Sequence, residues 1–143
     1  MKKIGLIVFA IAALLMIVVL TGCKAAPTAP AYADNITEQL LLAYDANDYT
    51  AYLEVFDEAA TGSVGMEWFS RTSDFNTARI GHYIHGSIKL QDVIVKDAIT
   101  QVTYYAQYTN EPDHVTVIVS LDITDHGTFA VDISIFSPKM FTQ

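Results

Sequence analysis

The lone cysteine of this 143-residue chain, Cys23, comes directly after an apolar segment that runs from Ile4 to Leu20. A thiol in this position is a nucleophile at the end of a long hydrophobic segment, and the two residues before it, Thr21 and Gly22, are small. Since a single cysteine cannot form an internal disulfide, it calls for another chemical role. The sequence therefore points first to a covalent modification of Cys23.

The residues before Cys23 have the layout of a secretory signal. Lys2 and Lys3 give a basic start, and the apolar segment that follows carries no charged side chain. The segment is slightly shorter than the ~20 residues of a spanning helix. Length alone therefore permits either a cleaved signal or a retained membrane helix.

The four residues Leu20-Thr21-Gly22-Cys23 resemble the lipobox of prokaryotic lipoprotein precursors, Leu-(Ser/Thr/Ala)-(Gly/Ala)-Cys. The resemblance implies that residues 1–22 are removed as a signal peptide and that Cys23 carries a diacylglycerol. Two acyl chains are enough for stable anchoring. We therefore expect the chain to bind the cell membrane through the lipid on Cys23, with its domain on the extracytoplasmic side. An ordinary signal peptide with an incidental cysteine is the alternative.

The segment after Cys23, KAAPTAPAYA over residues 24–33, has two prolines among alanines and no apolar periodicity. We expect this segment to be a tether that reaches up to ~30 Å. Residues 34–143 are expected to form a single domain that the tether connects to Cys23. From Lys24 onward, six Lys and Arg face sixteen Asp and Glu. This acidic balance argues against nucleic acid and anionic lipid surfaces as partners, since both need clustered positive charge.

Histidines are the first candidates for a metal site: His82, His85, His114 and His126. His82 and His85 are three apart in what reads as extended chain, so their side chains point to opposite faces. Zinc needs three or four converging ligands, and the spacing shows no convergence. We therefore predict solvated surface histidines, with no metal and no cofactor.

An acid–base site would need a carboxylate directed into the apolar interior. Asp122 and Asp132 have the strand parity opposite to the apolar residues, and Asp57 lies near a helix end, where exposure is usual. Asp92 lies at an expected bulge, and bulges can redirect side chains near sites. It is the one carboxylate whose direction the pattern leaves open.

Aromatic residues are the most suggestive candidates for binding. Tyrosine and tryptophan offer a flat apolar body with a polar tip, which suits an amphipathic ligand. A pocket between the helices and the sheet would be lined by five of them: Tyr49, Tyr52, Trp68, Tyr104 and Tyr108. The alternative is an aromatic core, because apolar residues at helical and strand spacing usually form one.

The elements that would position these residues divide near residue 81. Before it, apolar residues recur at helical spacing and predict three helices: one that starts at an Asn35–Glu38 capping box, one that Asn47 or Asp48 caps, and a third over 66–80. The inward residues expected on these helices are Ile36, Leu40, Leu41, Tyr44, Tyr49, Tyr52, Leu53, Phe56, Phe69 and Phe75.

After residue 81, apolar residues recur at every second position, and this alternation predicts four successive strands. A parity switch indicates a bulge at Gln91–Asp92, and turns are expected at residues 110–113 and 125–127. The inward residues expected on the last three strands are Val102, Tyr104, Ala106, Tyr108, Val115, Val117, Val119, Leu121, Ile123, Phe129, Val131, Ile133 and Ile135.

Three helices followed by an antiparallel meander predict an α+β domain with the helices packed on one face of a curved four-stranded sheet. This order resembles the cystatin-like architecture of the nuclear transport factor 2-like superfamily. The segment 36–58, with its Asn47-Asp48-Tyr49 joint and its Phe56-Asp57 pair, is similar to the opening helix pair of small exported members. The resemblance implies that the outer side of the sheet can form a dimer interface, and it brings isomerase and dehydratase chemistry into consideration.

The strand residues expected on the outer face of the sheet are mostly polar, but Tyr105, Ile118 and Phe136 are also expected on this face. If the strands pair in order, these three form a small apolar patch and a homodimer through the outer sheet face becomes a candidate. We therefore expect a non-catalytic module that binds a small amphipathic ligand or an exported protein. An enzyme of the isomerase or dehydratase kind, with Asp92 or a pocket tyrosine as acid or base, and a structural envelope protein are the alternatives.

Overall fold

The computed structural model describes residues 27–57, 64–124 and 127–141. In these ranges the chain forms three α-helices followed by four β-strands and a 3-10 turn, which confirms the predicted α+β class. Their bounds are α1 (Ala31–Ala46), α2 (Tyr49–Val55), α3 (Met66–Ile80), β1 (Lys89–Lys96), β2 (Ile99–Tyr108), β3 (Glu111–Thr124), β4 (Gly127–Phe136) and the 3-10 turn Pro138–Met140.

Helix α1 begins earlier than the sequence pattern predicts. Its N-cap is Pro30, so the last three residues of the predicted tether are helical and Asn35 lies inside the helix. Pro30 itself is extended, with ψ at 143°, and its carbonyl accepts a 2.9 Å hydrogen bond from Ala33 N, so the first turn forms directly after it. The predicted capping box is therefore wrong, and Glu38 binds a distant loop instead. The predicted inward residues of α1 are all buried.

A two-residue joint turns the chain from α1 into α2. Asn47 adopts the left-handed conformation, with φ at 53°, and ends α1. Asp48 then caps α2, because its Oδ1 accepts a 3.0 Å hydrogen bond from Ala51 N. Tyr52 is buried as predicted, whereas Leu53 is 40% exposed. The inward face of this short helix is formed by Tyr52, Val55 and Phe56, which are all buried. Leu53 lies outside that face.

Helix α3 has the predicted bounds, and its inward residue Phe69 is fully buried. Phe75 is 45% exposed, which corrects its predicted position. The guanidinium of Arg79 lies 5.6 Å from the centre of the Phe75 ring on the outer side of the helix. Hydrophobicity alone does not separate an aromatic residue in the core from one that packs against a surface cation.

The four strands pair as an antiparallel meander in the order β1-β2-β3-β4. A fifth, one-residue strand joins the sheet beside β4, where Phe56 pairs in parallel with Ala130 and Asp57 N donates a 2.9 Å hydrogen bond to Ala130 O. The predicted four-stranded sheet is therefore corrected to a mostly antiparallel sheet of five. A single paired residue leaves no period-two pattern in the sequence, so the pattern could not reveal it.

Three register shifts interrupt the strand pairings of the sheet, one in each neighbouring pair, and that of β2 and β3 lies between Ala106 and Tyr108. The predicted bulge in β1 is confirmed by a register shift between Leu90 and Asp92. The shift between β3 and β4, which was not predicted, makes Val131 an extra residue of β4. Beyond it, Phe129 lies opposite Asp122 and so shares the outer face rather than the face of Ile133. The expected common face of Phe129, Val131 and Ile133 is therefore wrong.

The core lies between the helices and the inner face of the sheet. Val102 of β2 and Val119 of β3 are fully buried neighbours at its centre. Ile123 has the inward parity but is 56% exposed, because the inner face continues past the residues that the helices cover. The turn between β2 and β3 is shorter than predicted, since Tyr108 already pairs with Glu111.

Candidate functional site

In the described part of the chain, packed side chains occupy the space between helices and sheet where the sequence predicts a ligand pocket. Tyr52 and Tyr104 are each 1% exposed, and Tyr108 is 3% exposed. Tyr52 stacks on Phe56 with ring centres 4.6 Å apart and contacts Phe69 at 4.8 Å. These tyrosines therefore belong to an aromatic core.

The other two predicted pocket residues lie at its margin. Tyr49 is half-buried, packs on Phe69 and donates a 2.8 Å hydrogen bond to Val64 O. Trp68 is 52% exposed on α3 and does not take part in the aromatic cluster. Tyr44, which the sequence analysis named only as an inward helix residue, takes the central place, with its ring 4.8 Å from that of Phe69.

An enclosed cavity remains near the core, with a volume of about 10 Å³ between α1, α3 and β2. Its lining includes Tyr44, Asn76 and Tyr108. A water molecule needs about 10–15 Å³ of this kind of volume. The cavity therefore has room for at most a single water molecule and none for a metabolite.

An open groove of about 910 Å³ lies between the α1–α2 joint and α3. Its lining is largely polar or charged and includes Asn47, Asp48, Glu67, Arg71 and Asp74. Glu67 and Arg71 form a 2.8 Å ion pair along α3, with both side chains mostly in solvent. Small-molecule sites are usually enclosed and mainly apolar. This groove is open to solvent and so lacks the enclosure of such a site, although Tyr49, Met66 and Phe69 give part of its lining an apolar surface.

Three carboxylates on α1 hold the sheet and the loop before β1. Asp34 Oδ1 accepts a 2.6 Å hydrogen bond from the Tyr104 hydroxyl. Glu38 accepts 2.7 Å hydrogen bonds from the Tyr83 hydroxyl and from Gly86 N. Asp45 Oδ1 accepts from Tyr83 N at 2.9 Å. These carboxylates are four and seven residues apart, so they lie on the same face of α1. This spacing is visible in the sequence and could have identified them.

Burial keeps the core tyrosines protonated. It raises the pKa of Tyr44 from 10.0 to about 12. Burial likewise raises the pKa of Tyr52, Tyr83, Tyr104 and Tyr108, and the hydrogen bonds to Glu38 and Asp34 add to the rise at Tyr83 and Tyr104. A phenol in this state donates hydrogen bonds at neutral pH and does not act as a base. This weighs against a pocket tyrosine as a catalytic base.

The remaining candidates for catalysis lie at the surface. Asp92 is exposed on β1, so the bulge does not direct its carboxylate into the core. His82 and His85 are 65% and 74% exposed and contact Asp45 and Glu38 at 3.1 and 3.3 Å. Across the described residues, no three His, Cys, Asp or Glu side chains come together as metal ligands. The side chain of His114 and residue His126 lie outside the described part of the chain.

The outer face of the sheet brings together the three predicted interface residues. Tyr105 and Phe136 both lie opposite Thr116, on β2 and β4, and Ile118 is two residues further along β3. Tyr105 is 37% and Phe136 45% exposed, and Ile118 is half-buried. We call Tyr105, Ile118 and Phe136 the outer patch. The strand order makes its members neighbours.

Cys23 and the predicted lipobox lie outside the described residues. Over residues 27–57, 64–124 and 127–141, no helix is long and apolar enough to cross a membrane. In comparisons with known proteins, no family model, no curated protein and no solved structure matches this chain.

Proposed function

We propose that the chain is the precursor of a membrane-anchored lipoprotein whose extracytoplasmic domain binds another exported protein without catalysis. The outer patch is the single observation that carries the interaction part of this proposal. Two features support it: three of the tyrosines predicted to line a pocket are buried in the core, and an apolar patch of aromatic and branched side chains lies on the opposite face of the sheet. The helix-first order and the meander also support the proposed relation to the nuclear transport factor 2-like superfamily.

The surroundings of the outer patch suit a protein partner. Thr103 and Ser134 flank Ile118 across the sheet, and Thr116 separates Tyr105 from Phe136. Protein interfaces characteristically have an aromatic and apolar centre with few charges and a polar rim. Hydroxyl groups at the rim can hydrogen-bond to a partner without the cost of burying a charge. Lys89 lies opposite Tyr105 on the same face, so the rim also carries a positive charge. The partner we expect is therefore a protein with an apolar patch and a polar rim that can pair with this lysine.

The anchor is tested with the Cys23→Ser variant of the full chain, produced in bacteria with labelled palmitate. A serine hydroxyl is not an acceptor for the diacylglycerol in this family. We expect the unaltered chain to be labelled and shortened, and the variant to stay unlabelled and unprocessed. Normal processing of the Cys23→Ser chain would contradict the lipoprotein assignment.

The interaction is tested with the full-length double variant Tyr105→Asp/Phe136→Asp, extracted from membranes in mild detergent and sized by native mass spectrometry. Two buried carboxylates would oppose an apolar interface, so we expect the hetero-complex of the unaltered chain to be lost. The matched control is Leu53→Asp/Phe75→Asp, which changes two residues of similar exposure on the helical layer. An unchanged complex in the outer-patch variant would refute the proposal, and a lost homodimer would make the partner a second copy.

A further inference from the structure

Strand β1 leaves one edge of the sheet open. It pairs with β2 on one side, and in the described parts of the chain no strand pairs with its other side. At the far edge, β4 is paired with Phe56. An unpaired edge presents a row of backbone N–H and C=O groups to which another strand can add. The edge of β1 is therefore the place where this sheet can be extended.

The part of β1 beyond its bulge is regular and apolar at its centre. The register shift ends at Asp92, and residues 92–96 pair with β2 without interruption. Ile94, on the outer face, is 52% exposed, and Val95, on the inner face, is 68% exposed. Native edge strands are usually short, charged or bulged to prevent pairing with another chain. Here the bulge protects only the beginning of the strand.

The regular segment Asp92-Val93-Ile94-Val95-Lys96 is complementary to itself in the antiparallel direction. If a two-fold axis passes through Ile94, this residue faces its own copy and Val93 faces Val95 of the partner subunit. Asp92 then faces Lys96 of the partner subunit, and the same pair occurs again on the other side of the axis. Opposite charges directly across a strand pair are stabilising, and like charges are destabilising.

Other registers lose this match. Directly opposite residues of an antiparallel pair lie on the same face of the sheet, so the neighbouring registers move the axis by one whole residue. An axis at Val95 places Lys96 opposite Ile94 and Asp92 opposite Ala98 of the partner subunit. An axis at Val93 places Asp92 opposite Ile94 and Lys96 opposite Leu90 of the partner subunit, so neither register pairs Asp92 with Lys96. The positions of Asp92 and Lys96 therefore favour one register over its neighbours. Charges that served only to prevent pairing would not have to match in this way.

We propose that two copies of this chain join through β1, antiparallel, about a two-fold axis through Ile94, and form one continuous sheet. A contact of this kind is closed, since each copy uses the same segment, and it stops at the dimer. The axis is perpendicular to the sheet, so both outer faces lie on the same side and the dimer presents two outer patches together. The pairing itself depends neither on the lipid nor on an outer-patch partner.

A cysteine scan of the full chain in bacterial membranes tests the pairing. In the proposed register, residue 94 faces its own copy at the ~5 Å between side chains of directly opposite residues, so Ile94→Cys should form a disulfide-linked dimer on oxidation. The control Gln91→Cys places the thiols about 20 Å apart along the strands, at about 3.3 Å for each residue, and should not cross-link. The unaltered chain reports any linkage through Cys23. Equal cross-linking at positions 91 and 94, or none at 94, would overturn the proposal.

Charge reversal in the Ile94→Cys background tests the register. Asp92→Lys places lysine opposite lysine, and Lys96→Asp places aspartate opposite aspartate, so each should abolish the cross-link. The double variant Asp92→Lys/Lys96→Asp restores both opposite-charge pairs and should restore the cross-link. If single reversals leave it unchanged, or if the double variant does not recover it, the proposed register is wrong. Tyr105→Asp/Phe136→Asp should leave it intact, which separates this contact from the outer patch.

Discussion

The hydroxyl of Tyr104 donates a 2.6 Å hydrogen bond to Asp34 Oδ1 and so joins the first turn of α1 to the middle of β2. The phenol is buried, whereas Asp34 is exposed. The bond therefore satisfies a buried donor without taking a carboxylate fully out of water. It fixes where the first helix lies on the sheet.

Tyr104→Phe should lower the free energy of unfolding by about 1–2 kcal/mol, since a hydrogen bond to a charged group is lost and little packing changes. Asp34→Asn should cost less, because an amide oxygen still accepts. Urea unfolding of Tyr104→Phe, Asp34→Ala and the double variant gives the coupling energy. A coupling energy near zero would mean that the two groups do not interact in solution.

Gly81 is the position where an added methyl group should do most damage. Its φ is +83°, and a Cβ there would overlap Thr109 Oγ1 and lie 3.0 Å from Asn110 N. Gly81→Ala should therefore cost about 2–4 kcal/mol, as backbone strain and displacement of the β2–β3 turn add up. Gly65→Ala is the control, since its φ is negative and no atom lies within 4 Å. Thermal unfolding that shifts equally in both variants would contradict this geometry.

The boundary of the helical layer runs between two residues of β3. Leu121 is fully buried, and Ile123, two residues further on the same face, is 56% exposed. Leu121→Ala should cost about 2–5 kcal/mol, because it leaves a cavity in the core. Ile123→Ala should change the free energy of unfolding by less than about 0.5 kcal/mol. Similar losses for both variants in urea unfolding would mean that the helices cover more of the sheet than the structure shows.

The sequence predicted those features of the fold that rest on periodicity. Alternating valines identify β3 and the inner face, and the parity switch after Leu90 locates the bulge in β1. The sequence indicates Asn47 or Asp48 as the cap of the second helix, because short acceptor side chains favour this position, and the structure shows that Asp48 is the cap. In each case a local rule and the global fold require the same residue type.

The errors occur where tertiary contacts outweigh local patterns. Glu38 has the spacing of a capping residue, but Pro30 starts the helix earlier and leaves its carboxylate to Tyr83 and Gly86. The extra residue Val131 turns Phe129 outward, and nothing in an apolar run marks which residue is extra. For the candidate site, the sequence placed Tyr52, Tyr104 and Tyr108 correctly inward and Trp68 wrongly so. Periodicity could not show that the three inward tyrosines are packed in the core rather than lining a pocket.

The buried tyrosines predict a sharp loss of stability in alkali. Burial raises the pKa of Tyr44 in the folded chain from 10.0 to about 12. Because the folded pKa is higher than the unfolded one, the unfolded chain loses its proton first. The stabilising contribution of this tyrosine is therefore complete below pH 10 and is lost as pH rises toward 12. Four further tyrosines shift in the same direction: Tyr52, Tyr83, Tyr104 and Tyr108.

Each such tyrosine lowers the free energy of unfolding by about 1.4 kcal/mol for each pH unit above 10. A domain that is stable by about 5–15 kcal/mol should then unfold cooperatively by about pH 12. Phenolate absorbance and far-ultraviolet circular dichroism, followed together during an alkaline titration, should change in one transition. Tyr44→Phe removes one titrating group, so the free energy of unfolding should fall less steeply with pH, by the contribution of one proton. If most phenols ionise near pH 10 while the circular dichroism stays native, these tyrosines are not buried in solution.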